Sequence, residues 1–299
     1  MGWLTLRSNS ARLTELFGSM REKRAIFITG SGKCGTSLVA HSFFSSGFPM
    51  GTEEELIIYR GGIGNINGYW EHAKMLELNL EILAQNGTDW ASPPSSLPLM
   101  IDEPLRIRMG ELAASVPDGF CCKDPRLVWT ADLWANWFTK PTIVAVYRNP
   151  TGFRRSIANV WPDQFSAEGS QDSRELRIWE ASNRRLLDLA SRFPCHWICF
   201  DEPGDVLKAT LERIISELGG NFNSAEFERS FIPGERRFSS VDDVDASRFG
   251  LPEPYVALYR ELTLHARRST DAVGAENNTH GSRPHKMAPE YNVGQCPRI

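Results

Sequence analysis

Short apolar runs alternate with longer amphipathic stretches along most of this 299-residue chain. The apolar runs are bounded by turn residues and predict buried strands at residues 25–28, 120–122, 142–147 and 195–200. The stretches between them carry helical periodicity or helix start signals and predict helices at residues 38–46, 71–85, 103–115, 128–138, 150–160, 173–191 and 205–218. This alternation predicts an α/β fold, with a central parallel sheet flanked by helices on both faces and ligands at the carboxyl ends of the strands.

The rest of the pattern predicts one domain with two extensions. Residues 1–24 form a polar lead-in, and residues 25–268 form a single α/β domain. Residues 269–299 are polar, contain prolines and glycines and lack periodicity, so we expect a disordered tail. Residues 47–118 form an insertion between the first two predicted strands. Loops of this kind usually hold the residues that determine which ligand a protein binds.

The first predicted strand is joined to its helix by a glycine-rich turn, Gly30-Ser31-Gly32-Lys33-Cys34-Gly35-Thr36-Ser37. Glycines let backbone N–H groups point inward, and a helix N-terminus favours an anion. The turn is close to the ATP-binding pattern G-x-x-x-x-G-K-[ST], but Thr36 occupies the position of the lysine that reaches the β- and γ-phosphates. Lys33 is the only lysine nearby. We therefore expect a P-loop-like anion site that does not take ATP.

Cationic residues follow two further strands of the predicted sheet. Lys123-Asp124-Pro125-Arg126 comes after the strand at 120–122, and Arg148 ends the strand at 142–147, with Ser156 eight residues later. The carboxyl ends of parallel strands meet at one edge of a sheet, so these residues should lie beside the glycine-rich turn. Two separate phosphate-binding devices indicate a nucleotide with phosphates at both ends of its ribose.

This ordered set resembles the sulfotransferases that use 3′-phosphoadenosine 5′-phosphosulfate (PAPS). Their 5′-phosphosulfate loop reads approximately G-x-x-[RK]-[SC]-G-T-[ST], which residues 30–37 match. Their 3′-phosphate motif is a strand ending in Arg followed eight residues later by Ser, matched by Arg148 and Ser156. Bacterial members and tyrosylprotein enzymes also carry a Lys-Asp-Pro element, matched at residues 123–125. The segment Asn67-Gly68-Tyr69-Trp70-Glu71 looks like the glutamate-bearing segment of that family.

The resemblance covers about residues 25–235 and implies how the donor would be held. The 5′-phosphate would lie against backbone amides and hydroxyls of Gly32, Lys33, Cys34, Gly35, Thr36 and Ser37. Arg148 would hold the 3′-phosphate as a charged fork, with Ser156 adding a hydroxyl. Residues 231–237 would lie where sulfotransferases close over the adenosine phosphate.

The resemblance also implies catalytic roles. Lys33 would lie close to the transferring group, and Lys123 would stabilise charge on the leaving oxygen and the sulfuryl group. Glu71 would be the general base for the acceptor, with His72 and His41 as alternatives. The insertion at 47–118 would then lie on the acceptor side.

The implied reaction is in-line transfer of a sulfuryl group from PAPS, as cosubstrate, to a hydroxyl or amine. The acceptor would be a small molecule, a carbohydrate or a peptide, and no metal is expected because a sulfuryl group carries less charge than a terminal phosphoryl group. A small-molecule or nucleotide kinase remains an alternative, but it should have a lysine at position 36 and a magnesium-binding carboxylate. A non-catalytic nucleotide-binding protein is a third possibility.

Composition limits the kinds of partner, location and metal site that the sequence supports. The formal net charge of −4 gives no argument for nucleic acid, and no apolar run is long enough to span a membrane. The N-terminus lacks a basic region followed by an apolar block, so we expect a cytoplasmic protein. Six cysteines lack C-x-x-C spacing, which favours free thiols over a zinc site. Nothing in the sequence indicates an oligomeric state.

Overall fold

The computed structural model describes residues 23–58, 68–139, 141–165, 173–231 and 251–279, with side chains described as far as residue 268. In chain order the elements are β1 (Ala25–Thr29), α1 (Thr36–Ser45), β2 (Leu56–Ile57), β3 (Glu71–His72), α2 (Ala73–Gln85), α3 (Glu103–Ser115), β4 (Phe120–Lys123), α4 (Leu127–Trp134), β5 (Thr142–Tyr147), α5 (Pro150–Val160), α6 (Arg174–Arg192), β6 (Cys195–Cys199), α7 (Gly204–Glu217), α8 (Ser224–Ser230) and α9 (Glu253–Thr279).

Four parallel strands form the central sheet in the order β4-β1-β5-β6. Strand β1 lies inside it, with Ile28 paired to Lys123 of β4 on one side and to Val144 of β5 on the other. The chain moves to one side of β1 to form β4 and then crosses to the other side to form β5. This reversal opens a crevice at the carboxyl ends of β1 and β5, the usual ligand position in such sheets.

Helices cover both faces of this sheet, which confirms the predicted fold class. Alternate residues of each strand face opposite layers, so Phe27 packs into one apolar cluster while Ile26 and Ile28 pack into the other. Helices α2 to α6 and α9 contribute to the first cluster, and helices α1, α7 and α8 contribute to the second. Among the described residues, no helix combines the length and apolar character needed to cross a bilayer.

Many predicted ends shift by one or two residues, and three differences change how a segment is described. The predicted helix at 71–85 begins at Ala73, because the two preceding residues pair with Leu56–Ile57 as a small antiparallel sheet and His72 caps the helix. The predicted helix at 128–138 ends at Trp134. Helix α9 continues to Thr279, so helix replaces the predicted disorder at 269–279. The lead-in up to residue 22 and the tail from residue 280 lie outside the described residues.

The start of the glycine-rich turn packs directly on β5. A Cβ atom at Gly30 would lie 2.0 Å from the carbonyl oxygen of Val146 and 2.8 Å from Sγ of Cys34. A strand carbonyl cannot move aside without breaking the sheet. A Cβ atom at Gly32 would meet nothing within 4 Å, although this glycine lies in the same turn.

This contrast defines a matched pair of variants. We expect Gly30→Ala to lower the free energy of unfolding by about 1–3 kcal/mol, because the new methyl group overpacks the contact between β1 and β5. Gly32→Ala should stay within about 0.5 kcal/mol of the unchanged protein. Urea unfolding measures both, and equal stability of the two variants would contradict the close approach.

Candidate active site

A cavity of about 470 Å³ opens at the carboxyl edge of the sheet, in the crevice between β1 and β5. Its wall includes nine of the ten predicted site residues: Gly32, Lys33, Gly35, Thr36, Ser37, Glu71, Lys123, Arg148 and Ser156. Phe231 also lines it, whereas the rest of the predicted segment at 232–237 and Asn67 lie outside the described residues. The structure therefore brings together motifs that are more than 100 residues apart in sequence.

Cys34 is the predicted site residue whose side chain does not face the cavity. Its thiol is fully buried and donates a hydrogen bond of 3.1 Å to the carbonyl oxygen of Val146. Burial raises the pKa of this thiol to about 12, so it stays protonated. The side chain anchors the turn to β5. The predicted ligand contact of Cys34 is through its backbone N–H, and it remains a prediction.

The backbone of the turn is strained where the cavity begins. Lys33 has a φ of 65°, a left-handed conformation that is uncommon for a residue with a side chain. Gly35 follows with a φ of 94° and starts α1, and a Cβ atom there would overlap the ring of Phe200 at 2.0 Å. Strain of this kind is retained mainly at functional sites. Here the left-handed backbone keeps the Lys33 side chain in the cavity wall.

Three cationic side chains converge on the cavity. The pKa of Lys33 is lowered to about 8, first by burial and then by repulsion from Lys123 and Arg148. All three side chains line the same cavity, so each like charge disfavours the charged form of its neighbours. An anion bound among them would relieve the repulsion, so the site is electrostatically prepared for one.

Lys123 is held by a buried ion pair with Glu71. Its ammonium nitrogen lies 2.8 Å from Oε1 of Glu71 and 3.1 Å from the carbonyl oxygen of Tyr69. The second oxygen of Glu71 lies 3.6 Å from Nη1 of Arg126. Glu71 therefore lies in a short strand, between two cations.

The fully buried side-chain amide of Asn79 supports the residues next to this ion pair. The side-chain nitrogen of Asn79 donates to Asp124 at 2.9 Å, and its oxygen accepts from Thr130 and from the indole of Trp134, both at 2.8 Å. Asp124 in turn accepts from the backbone and guanidinium nitrogens of Arg126, both at 2.8 Å. Sequence analysis missed Asn79, which locks α2 to the turn after β4.

A buried carboxylate supports Arg148 in a similar way. Oδ1 of Asp201 lies 3.6 Å from Nε of Arg148, and Oδ2 accepts from the backbone N–H of Asn149 at 2.5 Å. The guanidinium group lies 5.5 Å from the ring centroid of Phe200, and its Nη1 donates to the carbonyl oxygen of Lys33 at 3.4 Å. Sequence analysis missed Asp201, although its position just after a strand of the sheet is a signal that could have found it.

The two histidines considered as alternative bases do not line the cavity. His72 caps α2, since its Nδ1 accepts from the backbone N–H of Met75 at 3.4 Å. His41 stacks on Trp70 at 4.5 Å between ring centroids, and its Nδ1 lies 2.8 Å from Oγ of Ser230. Burial lowers the pKa of both rings. Both histidines are engaged in holding elements together.

The described residues contain no group of three or more His, Cys, Asp or Glu side chains that could hold a metal ion. The cysteines within the described ranges are free, and four of them are buried: Cys34, Cys121, Cys122 and Cys199. This agrees with the free thiols predicted from the sequence.

Comparison with known proteins gives structural matches only. Sulfotransferase STF9 from Mycobacterium avium superposes with a TM-score of 0.50 and 14% identity, covering 86% of this chain and 80% of that one. The sulfotransferase domain of the Synechococcus PCC 7002 olefin synthase gives a TM-score of 0.44 and 15% identity, covering 81% and 95%. No family model and no curated protein sequence matches the chain. The chain therefore shares the fold of a bacterial sulfotransferase.

The role of Asn79 can be tested by an apolar side chain of similar size. We expect Asn79→Leu to lower the free energy of unfolding by about 2–4 kcal/mol, because it leaves buried polar atoms of Asp124 and Trp134 without a partner and removes the shorter hydrogen bond of Thr130. The exposed Asn136 serves as the control, and Asn136→Leu should change stability by less than about 1 kcal/mol. Urea unfolding with similar losses for both variants would argue against the network.

Proposed function

We propose that this protein is a sulfotransferase that moves a sulfuryl group from PAPS to a hydroxyl or amine of an acceptor. The observation that carries this proposal is the single cavity that joins the glycine-rich turn, Lys123 and the pair Arg148 and Ser156. Each of these three groups of residues follows a different strand of the sheet. The glycine-rich turn lies between the other two groups because β1 lies between β4 and β5. A donor with phosphates at both ends of its ribose matches two anion sites on one crevice.

The residues present fit such a donor. Gly32 borders open space, so the backbone of the turn is accessible to a phosphate. Lys33, Lys123 and Arg148 supply positive charge, and the hydroxyls of Thr36, Ser37 and Ser156 also line the cavity. The turn and the start of α1 would hold the 5′-phosphate, and Arg148 with Ser156 would hold the 3′-phosphate.

The chemistry requires positioning and charge stabilisation. Bound PAPS would supply an activated sulfuryl group whose S–O bond to the 5′-phosphate breaks as the acceptor oxygen bonds to sulfur. Lys33 and Lys123 stabilise the negative charge that develops at this bond, and the effect is strengthened because Lys33 is half-buried and Lys123 is buried. Glu71 is the proposed acceptor of the proton, and its ion pair with Lys123 also fixes the lysine in place.

A kinase fits the cavity less well. Among the described residues that line it, Glu71 is the sole carboxylate, and Lys123 and Arg126 already engage it. The adjacent Asp124 is engaged by Asn79 and Arg126. A non-catalytic binding protein is also disfavoured, because a buried ion pair is costly to desolvate and seldom stabilises a fold.

Calorimetric titration with adenosine 3′,5′-bisphosphate and, separately, with Mg-ATP tests the donor. We expect binding of the bisphosphate and at least tenfold weaker binding of ATP. Between pH 7 and pH 9 the bisphosphate affinity should fall about tenfold, because Lys33 loses its proton as the pH rises through its pKa of about 8 while the ligand phosphates stay ionised. Binding near pH 8 should therefore take up protons, which buffers of different ionisation enthalpy would detect.

Lys33→Met is the control for this pH dependence, since it keeps the length of the side chain without its charge. The variant should bind the bisphosphate more weakly at pH 7 and lose most of the decline between pH 7 and pH 9. Tight binding of ATP without binding of the bisphosphate would sink the sulfotransferase proposal.

Catalysis is tested by transfer of labelled sulfur from PAPS to a panel of acceptors. Lys123→Ala should lower kcat by about 10²–10³-fold, as removal of a group that stabilises transition-state charge does. Glu71→Gln keeps a hydrogen-bond acceptor for Lys123 but removes the base, so a loss of about 10²–10⁴-fold would support proton transfer. Full turnover in either variant would remove that residue from the mechanism.

A further inference from the structure

Four aromatic side chains form part of the cavity wall: Tyr69, Trp90, Trp129 and Trp161. The two lysines proposed to act on the sulfuryl group border this wall. Nζ of Lys33 lies 5.9 Å from the ring centroid of Trp161, and Nζ of Lys123 lies 5.9 Å from that of Tyr69. An acceptor hydroxyl placed for transfer near both lysines would therefore have the rest of its molecule next to aromatic rings.

The aromatic wall is built by segments that are distant in sequence. Trp90, from the insertion, contacts Trp161 with ring centroids 4.7 Å apart, and it also contacts the buried Phe165 at 6.0 Å. Helices α4 and α6 add Val128 and Ile178 to the cavity lining. Flat apolar groups gain most from such walls, whereas a sugar needs a polar partner for most of its hydroxyls.

The charges of the cavity disfavour an amine acceptor. Four cationic side chains line it in the part of the chain that the structure describes: Lys33, Lys123, Arg126 and Arg148. Glu71 is the one carboxylate of that lining and is engaged by two of them. An amine is an ammonium ion near neutral pH, so it would have to give up its proton before it could react beside Lys33 and Lys123.

The same charges favour an acceptor whose hydroxyl is acidic. Lys123 lies 2.8 Å and Arg126 lies 3.6 Å from the carboxylate of Glu71, and His41 and His72 lie outside the cavity wall. A phenol ionises near pH 10, far more readily than an aliphatic alcohol. Nearby cations stabilise a phenolate further. A phenol can therefore be deprotonated by a weaker base than an aliphatic alcohol requires.

We propose that the acceptor is a phenol: a neutral, planar aromatic molecule that lies against Trp90 and Trp161 with its hydroxyl directed at Lys33 and Lys123. This inference rests on the proposed sulfotransferase function. The phenolic oxygen forms a bond to sulfur, and the S–O bond to the 5′-phosphate breaks with its electron pair going to the phosphate. The phenolic proton passes to Glu71 or to water.

The test compares acceptors that share one ring system, with labelled sulfur transferred from PAPS. 2-Naphthol should react with a kcat/KM at least tenfold above that of 2-naphthalenemethanol, 2-naphthylmethylamine and glucose. Trp90→Ala and Trp161→Ala should each raise KM for 2-naphthol at least fivefold, while calorimetric affinity for the bisphosphate stays within threefold. Trp161→Phe keeps an aromatic wall and should retain most of the affinity, which separates ring loss from misfolding.

Phe193→Ala is the matched control, because Phe193 is a half-buried aromatic residue that packs on the same core but does not line the cavity. It should leave KM for 2-naphthol unchanged.

Preference for glucose, the aliphatic alcohol or the amine would overturn the phenol proposal while leaving the sulfotransferase proposal intact, as would unchanged KM in both tryptophan variants. If no acceptor reacts, 2-naphthol should still quench tryptophan fluorescence saturably in the bisphosphate complex, and absence of that binding also overturns it. Failure of bisphosphate binding would instead reject the proposed donor.

Discussion

The buried ion pair between Lys123 and Glu71 is the interaction on which the site depends. It joins the end of a sheet strand to the short strand of the insertion, so the two parts of the domain meet through charge as well as through apolar packing. Taking both charges out of water is unfavourable, and removal of one partner would leave the other buried and alone. Arg126 and the amide of Asn79 reduce that cost by fixing the geometry around the pair.

The features that could be predicted from the sequence are those that depend on local patterns of residues. The four sheet strands follow from short apolar runs, and the P-loop-like turn follows from glycines between a strand and a helix. Arg148 and Lys123 could be placed beside that turn because parallel strands end at one edge. The cavity brings these residues together as that rule requires.

The remaining features depend on contacts that the local sequence does not encode. The direction of the Cys34 thiol is set by the carbonyl of Val146, which is 112 residues away. The local sequence does not distinguish Asn79 and Asp201 from other polar residues. Their role arises because the fold buries them beside Asp124 and Arg148. The strand at Glu71–His72 needs Leu56–Ile57, which lies earlier in the chain, as its partner, so helical periodicity alone extends α2 two residues too far.

Helix α9 contacts the carboxylate beside Arg148 through one hydroxyl. Tyr259 donates to Oδ2 of Asp201 at 3.2 Å, and the same carboxylate engages the backbone of Asn149 and faces Arg148. The ring of Tyr259 also packs against Tyr147 at the end of β5. Tyr259, near the C-terminal end of the described chain, thus supports the carboxylate that faces Arg148. A fragment that stops before residue 259 would retain every motif predicted to bind phosphate and yet lack the tyrosine that holds the carboxylate facing its arginine.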